Sequence, residues 1–264
     1  MGSPRTVQKV ALGLIDQFYA ALPQPRPPAE DLQRCKIVSH RGQHDNRKVL
    51  ENTIDAFDQA REGNVWGIEC DVRWTRDLEP VVFHDPDCRR LFGAANRIAD
   101  MTLDQVHSEF PHIPTLEALV RRYGRRLHLM IELKSGGRFE PHVQVDKLRR
   151  LLAPLRPIAD FHILSLEPTM FEVASFVPVQ ALIPVSTANT RHISDTTLRC
   201  GYGGMAGHFA FLREHLLAKH RARGQIVGSG FVSSPNCLFR ELNRGIDWIF
   251  SNHAVQLQEL CDHA

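Results

Sequence analysis

Short apolar runs rich in β-branched residues recur along this chain, separated by stretches in which apolar residues return every three or four positions. The runs are KIVSH (36–40), VWGIECDV (65–72), PVVFH (80–84), LHLMIEL (127–133), FHILSL (161–166), VQALIPV (179–185), QIVGSGF (225–231) and DWIFS (247–251), with a weaker ninth near Gly203 to His208. Between them, helical spacing is read over Asn52 to Arg61, Thr115 to Tyr123, Val143 to Leu152 and Phe211 to Arg223. Strands alternating with helices build a parallel sheet, and this many units over about 230 residues predict an α/β fold, a TIM (β/α)8 barrel, rather than an open doubly wound sheet. Nine strand candidates compete for eight barrel places. The connection from Asp71 to Pro80 is too short for a crossover helix, so one candidate is expected to be a hairpin arm or to cross without a helix.

Ahead of the barrel, Val7, Val10, Ala11, Leu14, Ile15, Phe18 and Leu22 mark one face of an appended N-terminal helix, ended by Pro23, Pro25, Pro27 and Pro28. The expected organisation is residues 1–34 as amphipathic helix and Pro-rich linker, packed on a barrel domain of residues 35–264. Met1 to Thr6 fits the loose myristoylation pattern, which is weak evidence for lipidation.

The chain has 264 residues, 43% hydrophobic and 23% charged, which suits one large globular domain. Lys and Arg (32) nearly balance Asp and Glu (30), and the basic residues are scattered, which argues against nucleic acid as a partner. Six cysteines at 35, 70, 88, 200, 237 and 261 form no C-x-x-C pair, so buried free thiols are expected, not zinc or a disulfide framework. No segment reaches the roughly 20 apolar residues of a membrane span and no secretory leader is legible, so the expected location is cytoplasmic with no stable membrane anchor. Neither a dinucleotide fingerprint nor a P-loop occurs, and the glycine-rich stretch from Gly201 to Gly207 reads as a turn.

In a barrel, reacting groups stand at the C-terminal ends of the strands. There the sequence places His40-Arg41-Gly42, Glu69-x-Asp71, His84-Asp85 and Glu132-x-Lys134. Side chains alternate along a strand, so Glu69 and Asp71 share the inward face, as do Glu132 and Lys134. Three acids in one pocket repel unless a cation joins them, and an all-carboxylate set suits a hard divalent metal, Mg2+ or Ca2+. The competing expectation is a buried salt-bridge cluster in which the acids simply pair with Arg41 and Lys134. With a divalent ion, the three acids and two bases carry a single net positive charge, which one phosphodiester anion neutralises. Arg41 and Lys134 would bind it. His40 and His84, ending different strands in the same mouth, suit acid and base work near neutral pH. His107, His215 and His220 read as surface or packing residues.

Taken in order, His40-Arg-Gly42, Glu51-Asn-Thr53, Gly67-Ile-Glu69-Cys-Asp71-Val72, Thr75-Arg-Asp77, Pro80-Val-Val-Phe-His84-Asp85, Ile113-Pro-Thr-Leu-Glu117 and Ile131-Glu132-Leu-Lys134 resemble the glycerophosphodiester phosphodiesterase family. The resemblance is close from 36 to 134 and loose beyond. It implies a TIM barrel, a divalent metal on Glu69, Asp71 and Glu132, catalytic His40 and His84, and phosphate held by Arg41 and Lys134. Glu51 and Asn52 would support the metal ligands, with helix capping as the equal alternative. The implied reaction is metal-dependent hydrolysis of a glycerophosphodiester to an alcohol and sn-glycerol 3-phosphate. The implied partner is a small-molecule phosphodiester, with homo-oligomerisation left open. A lysophospholipase D-like activity and a non-catalytic phosphoester-binding barrel are the alternatives. Leu50 replaces the family's frequent Pro, the 85–131 stretch leaves the substrate-capping insertion missing or minimal, Gly228 to Phe231 replaces a W-T-V-N element, and Ser251-Asn252-His253 replaces T-D.

Overall fold

The structure is a computed structural model that describes residue 13 and residues 15–263. Nine strands form: β1 (Lys36–His40), β2 (Gly67–Trp74), β3 (Pro80–Val82), β4 (His128–Leu133), β5 (Phe161–Ser165), β6 (Leu182–Ser186), β7 (Gly204–His208), β8 (Ile226–Gly230) and β9 (Trp248–Ser251). Eight of them run parallel in the order β1, β9, β8, β7, β6, β5, β4, β2, and β1 pairs with β2 to close the barrel. β3 is the ninth candidate: it pairs antiparallel with the end of β2, Val72 opposite Val82 and Trp74 opposite Pro80. β2 therefore runs two residues further than its apolar run, and the short connection is a hairpin arm outside the barrel.

Alternation sorts each strand between two cores. Ile68, Cys70, Val72, Ile131, Leu133 and Ile163 point outward and pack with Phe57, Leu119 and Tyr123 of the helices in one large cluster. Val38, Met130, Leu164, Ile183, Ala206, Trp248 and Phe250 fill the barrel interior. The helices on the outside begin where hydroxyl caps allow: Thr53, Thr115 and Ser234 each accept a hydrogen bond from the backbone three residues on, a contact worth about 1 kcal/mol. The glycine-rich stretch is only partly a turn. Gly201 caps the preceding helix at φ 67°, whereas Gly204 opens β7, where a Cβ would lie 1.9 Å from the Ile226 carbonyl oxygen. The strands come together there because glycine has no Cβ.

Residues 85–113 are more than a minimal loop. They form two short helices (Arg89–Phe92 and Leu103–Glu109) and a 3-10 turn (Ile98–Asp100) over their own apolar cluster of Val81, Phe83, Cys88, Ile98, Met101, Val106, Phe110 and Ile113. Of the N-terminal helix, residues 15–21 are helical and dock on the barrel: Tyr19 packs edge-on against Phe209 at 5.4 Å, Arg240 lies over the Tyr19 ring at 4.4 Å, and Asn236 donates to the Ala20 carbonyl. Val7, Val10, Ala11 and Leu14 of its expected face, and the Met1 to Thr6 pattern, lie outside the described residues. The six cysteines are unpaired, but Cys35 is only partly buried and Cys200 is exposed, so the expectation of buried thiols holds for the other four. Among the described residues no helix is long and apolar enough to cross a membrane.

Candidate active site

The C-terminal mouth of the barrel opens into a cavity of about 270 Å³ lined on one side by His40, Arg41, Glu69, His84, Glu132 and Lys134. Glu69 and Asp71 lie on the inward face of β2, and Glu132 lies opposite Asp71 in the register of β2 with β4. One carboxylate oxygen from each of the three comes within 4.8 Å of the others. All three side chains are buried.

Two cations reach this cluster. Lys134 Nζ contacts Asp71 Oδ1 at 2.7 Å and also pairs with Glu132, and Arg41 Nε stands 3.1 Å from Asp71 Oδ2. Burial works against ionisation of Asp71, yet Lys134 and Arg41 outweigh it and hold this carboxyl below the ordinary range. Glu69 is different. Burial, and then the charges of Asp71 and Glu132, push it well above the ordinary carboxylate range, and Glu132 is raised by burial despite Lys134. Glu69 Oε2 accepts from the Arg41 backbone N–H at 3.1 Å, while Oε1 is buried with no hydrogen-bond partner among the described residues. Salt-bridge pairing thus satisfies Asp71 and Glu132 and leaves Glu69 over. A divalent ion fits that surplus, because buried carboxylate oxygen without a partner is costly and hard-cation ligation removes the cost.

The backbone is bent to aim these groups. Arg41 (φ 61°) and Asn52 (φ 58°) occupy the left-handed region, which costs a non-glycine residue about 1–3 kcal/mol. Gly42 between them has φ 80°, and a Cβ there would meet Ala56 at 2.7 Å. The turn lets Arg41 fold back over the acids. Asn52 then clamps Asp71 from both sides: its Nδ2 donates to Oδ2 at 2.7 Å, and its Oδ1 accepts the Asp71 backbone N–H at 3.2 Å. Glu51 accepts from Arg41 at 3.0 Å, from Asn46 at 2.7 Å and from both terminal nitrogens of Arg90. Burial would raise its pKa, but Arg90 and Arg41 bring it down to about 2. Neither Glu51 nor Asn52 caps the following helix; Thr53 does.

Both mouth histidines are tied at Nδ1. His40 Nδ1 lies 2.7 Å from Asn252 Oδ1, and His84 Nδ1 lies 2.7 Å from Asp85 Oδ1. Each partner atom is an acceptor, so Nδ1–H donates and Nε2 keeps its lone pair. Nε2 of His40 points to the acids, 3.8 Å from Glu69 Oε2. Burial and Arg41 push the His40 pKa down to about 3, and burial also lowers that of His84.

Four participants are given no role by the sequence reading. Asn252, at the end of β9, orients His40; Asp85 orients His84; Arg90 bridges Asp85 and Glu51; Arg73 donates from Nε to the His84 carbonyl at 2.7 Å. Asp85 is adjacent to a motif histidine, and Asn252 ends a strand, so both carried a positional signal. Arg90 lies in the 85–113 segment and carried none. His220 is fully buried and bonded to Ser194 and Gln225, which is a packing role.

Residues 40–158 match the model of the Glycerophosphoryl diester phosphodiesterase family. A glycerophosphodiester phosphodiesterase of Caldanaerobacter subterraneus subsp. tengcongensis is 34% identical over 127 residues, 44% of this chain and 51% of that protein. The chain spans about half or less of the curated relatives it first matches, 43% to 51% of their length. Among solved structures, a glycerophosphodiester phosphodiesterase from Thermotoga maritima superposes with a TM-score of 0.72 over 86% of this chain and 98% of that one, at 22% identity. An Oleispira antarctica phosphodiesterase in complex with the product sn-glycerol-3-phosphate gives 0.72 at 20% identity, over 86% and 96%. At these identities the likeness is one of fold.

Proposed function

We propose that the chain, whose residues 40–158 match the model of the glycerophosphoryl diester phosphodiesterase family, is a member of that family and hydrolyses glycerophosphodiesters to an alcohol and sn-glycerol 3-phosphate. The observation that carries this reading is the buried triad Glu69, Asp71 and Glu132, in which Glu69 Oε1 has neither a hydrogen bond nor an ion pair among the described residues, beside two imidazoles with free Nε2. Residues 35–264 would form the catalytic domain and residues 1–34 an appended segment, in a cytoplasmic enzyme.

Glu69, Asp71 and Glu132 would hold Mg2+ or Ca2+, which when bound supplies Lewis-acid stabilisation of the charge that develops on phosphoryl oxygen. Arg41 and Lys134 grip the phosphodiester anion, Arg41 through its fork and Lys134 as a point charge. The glycerol hydroxyl beside the phosphate serves as internal nucleophile, which exploits proximity. His40, backed by the neutral Asn252 amide, takes the hydroxyl proton at Nε2. His84 acts as the acid in its protonated form, the imidazolium that the Asp85 carboxylate favours against burial, and gives its Nε2 proton to the leaving alcohol. Water then opens the cyclic phosphate, with the two rings exchanging roles. Glu51 and Asn52 hold Arg41 and Asp71 in place.

The test is glycerophosphocholine with Mg2+ or Ca2+, with and without EDTA, scoring glycerol 3-phosphate. Metal-dependent release is expected. Absence of glycerol 3-phosphate from every glycerophosphodiester, and of acylglycerol 3-phosphate from every lysolipid, leaves a phosphoester-binding barrel and overturns the hydrolase. One observation favours a second reading, a lysophospholipase D-like activity: the rest of the cavity wall is mainly apolar, with Leu164, Leu166, Val185, Phe211, Phe231 and Phe250.

A further inference from the structure

That apolar wall holds one side chain out of keeping with it. The hydroxyls of Ser186 and Thr187 are already directed to Thr190 at 3.3 Å and Asn189 at 3.5 Å. His208, the last residue of β7, also lines the cavity, among Phe209, Phe211 and Phe231 with ring centroids 4.5, 5.8 and 5.9 Å away. Its Nδ1 accepts the Ala210 backbone N–H at 3.2 Å. A ring nitrogen that accepts carries no proton, so in the neutral ring the proton sits on Nε2. Burial lowers the pKa of His208 and keeps the ring neutral.

No hydrogen bond uses that Nε2–H among the described residues. The nearest carboxylate oxygen, Asp16 Oδ1 of the N-terminal helix, is 3.7 Å away, beyond bonding length. Asp16 Oδ1 is itself buried without a partner. Its charge disfavours a lone pair on Nε2 and so fixes the tautomer that presents a donor. Phosphate is gripped on the other wall by Arg41 and Lys134. What remains is a single neutral donor whose other neighbours are the rings of Phe209, Phe211 and Phe231, which matches a neutral acceptor flanked by methylenes: an ester carbonyl at the head of an acyl chain. A free glycerol hydroxyl is a poorer match, since its own donor would be left unpaired against the apolar wall.

We propose that His208 is a specificity-determining residue whose Nε2–H donates to the acyl ester carbonyl of a substrate acylated on its glycerol, and that Asp16 is its positioning residue. This rests on the phosphodiesterase reading and refines it. The appended helix thereby becomes part of substrate selection.

The probes are 1-oleoyl-sn-glycerol 3-phosphate, below its micellar concentration, and sn-glycerol 3-phosphate, bound to the full chain and followed by calorimetry. The wild-type chain is expected to prefer the acylated ligand. His208→Phe keeps an aromatic ring and removes the donor, and the preference should fall about 10-fold, as expected for a lost hydrogen bond that strands an acceptor. His208→Gln, which restores a donor, should recover part of it, and Asp16→Asn should lower it about 2-fold to 3-fold, as expected of a weakened contact. On 1-acyl lysophosphatidylcholine the His208→Phe loss should fall on KM rather than kcat. An unaltered preference in His208→Phe and His208→Gln, or a wild-type chain with no preference, overturns the assignment. Lack of turnover on both this lipid and glycerophosphocholine overturns the phosphodiesterase reading instead, and the binding preference still decides the role of His208.

Discussion

Each end of the barrel holds a pair of histidines, and the two pairs have little else in common. At the C-terminal mouth, His40 ends β1 and His84 lies two residues beyond β3, each anchored at Nδ1 by a polar side chain, with Nε2 left free. At the N-terminal floor, His128 Nε2 meets His162 Nδ1 at 2.8 Å, and His128 Nδ1 bonds the Ala159 carbonyl. The floor rings are packed by tryptophan: Trp66 stacks on His128 at 4.3 Å and Trp248 meets His162 at 4.8 Å. The floor pair spends both N–H donors within the floor, and the nitrogen left over, His162 Nε2, is buried without a partner among the described residues. The mouth pair is oriented by its partners while one nitrogen stays available. An imidazole becomes chemical through what its second nitrogen is given to do.

The largest contrast should appear in turnover. His40→Ala and His84→Ala are each expected to lower kcat about 100-fold or more, the usual scale of lost acid-base catalysis, with melting temperatures near wild type. His162→Phe should leave kcat within about 2-fold, since it touches neither the acids nor the mouth rings. Comparable kcat losses at both ends would erase the distinction.

Next in size is the metal. Glu69→Gln should weaken Mg2+ or Ca2+ binding at least about 10-fold by calorimetric titration, because loss of a ligand exceeds the loss of a supporting contact. An unchanged titration removes Glu69 from the ligand set. Arg90→Gln sharpens the same point from a distance: it frees Glu51 and Asp85, and kcat should fall about 10-fold with little change in metal affinity, the scale of a lost supporting contact. A wild-type kcat would show that the Arg90 bridge does not orient the site.

The smallest expected effect belongs to the floor and is read in acid. Burial holds His128 and His162 at about 4 and about 3, against 6.5 for an ordinary imidazole. The unfolded chain therefore binds more protons than the folded one once the pH drops below 6.5. Stability falls with pH from there until the folded rings titrate, by about 1.4 kcal/mol per pH unit for each ring. In His162→Phe the slope of unfolding free energy between pH 6 and 4.5 should lose about one proton's worth. An unaltered slope would mean that the floor rings do not resist protonation.

Much of this was legible along the chain because strands impose a period of two. That rule alone put Glu69, Asp71 and Glu132 on inward faces, and barrel topology put them at one end. Other features were hidden because they depend on what lies across space. Val72 opposite Val82 makes β3 a hairpin arm, which no local run of PVVFH could disclose. Arg90 matters only because the 85–113 segment folds back until its guanidinium reaches Glu51, 39 residues earlier. His208 reads as one of 14 histidines until the N-terminal helix brings Asp16 beside it.

By itself, then, the sequence determined the alternation of elements, the barrel class and the residue types that end its strands, since each follows from short-range periodicity and strand polarity. Only the tertiary structure decided which acid is left without a partner, which ring nitrogen is free and which wall of the cavity is apolar. Those are properties of neighbours drawn from distant segments, and burial gives them their energy: in a closed pocket an unpaired oxygen or an unspent N–H is costly, whereas in an extended chain water would satisfy both.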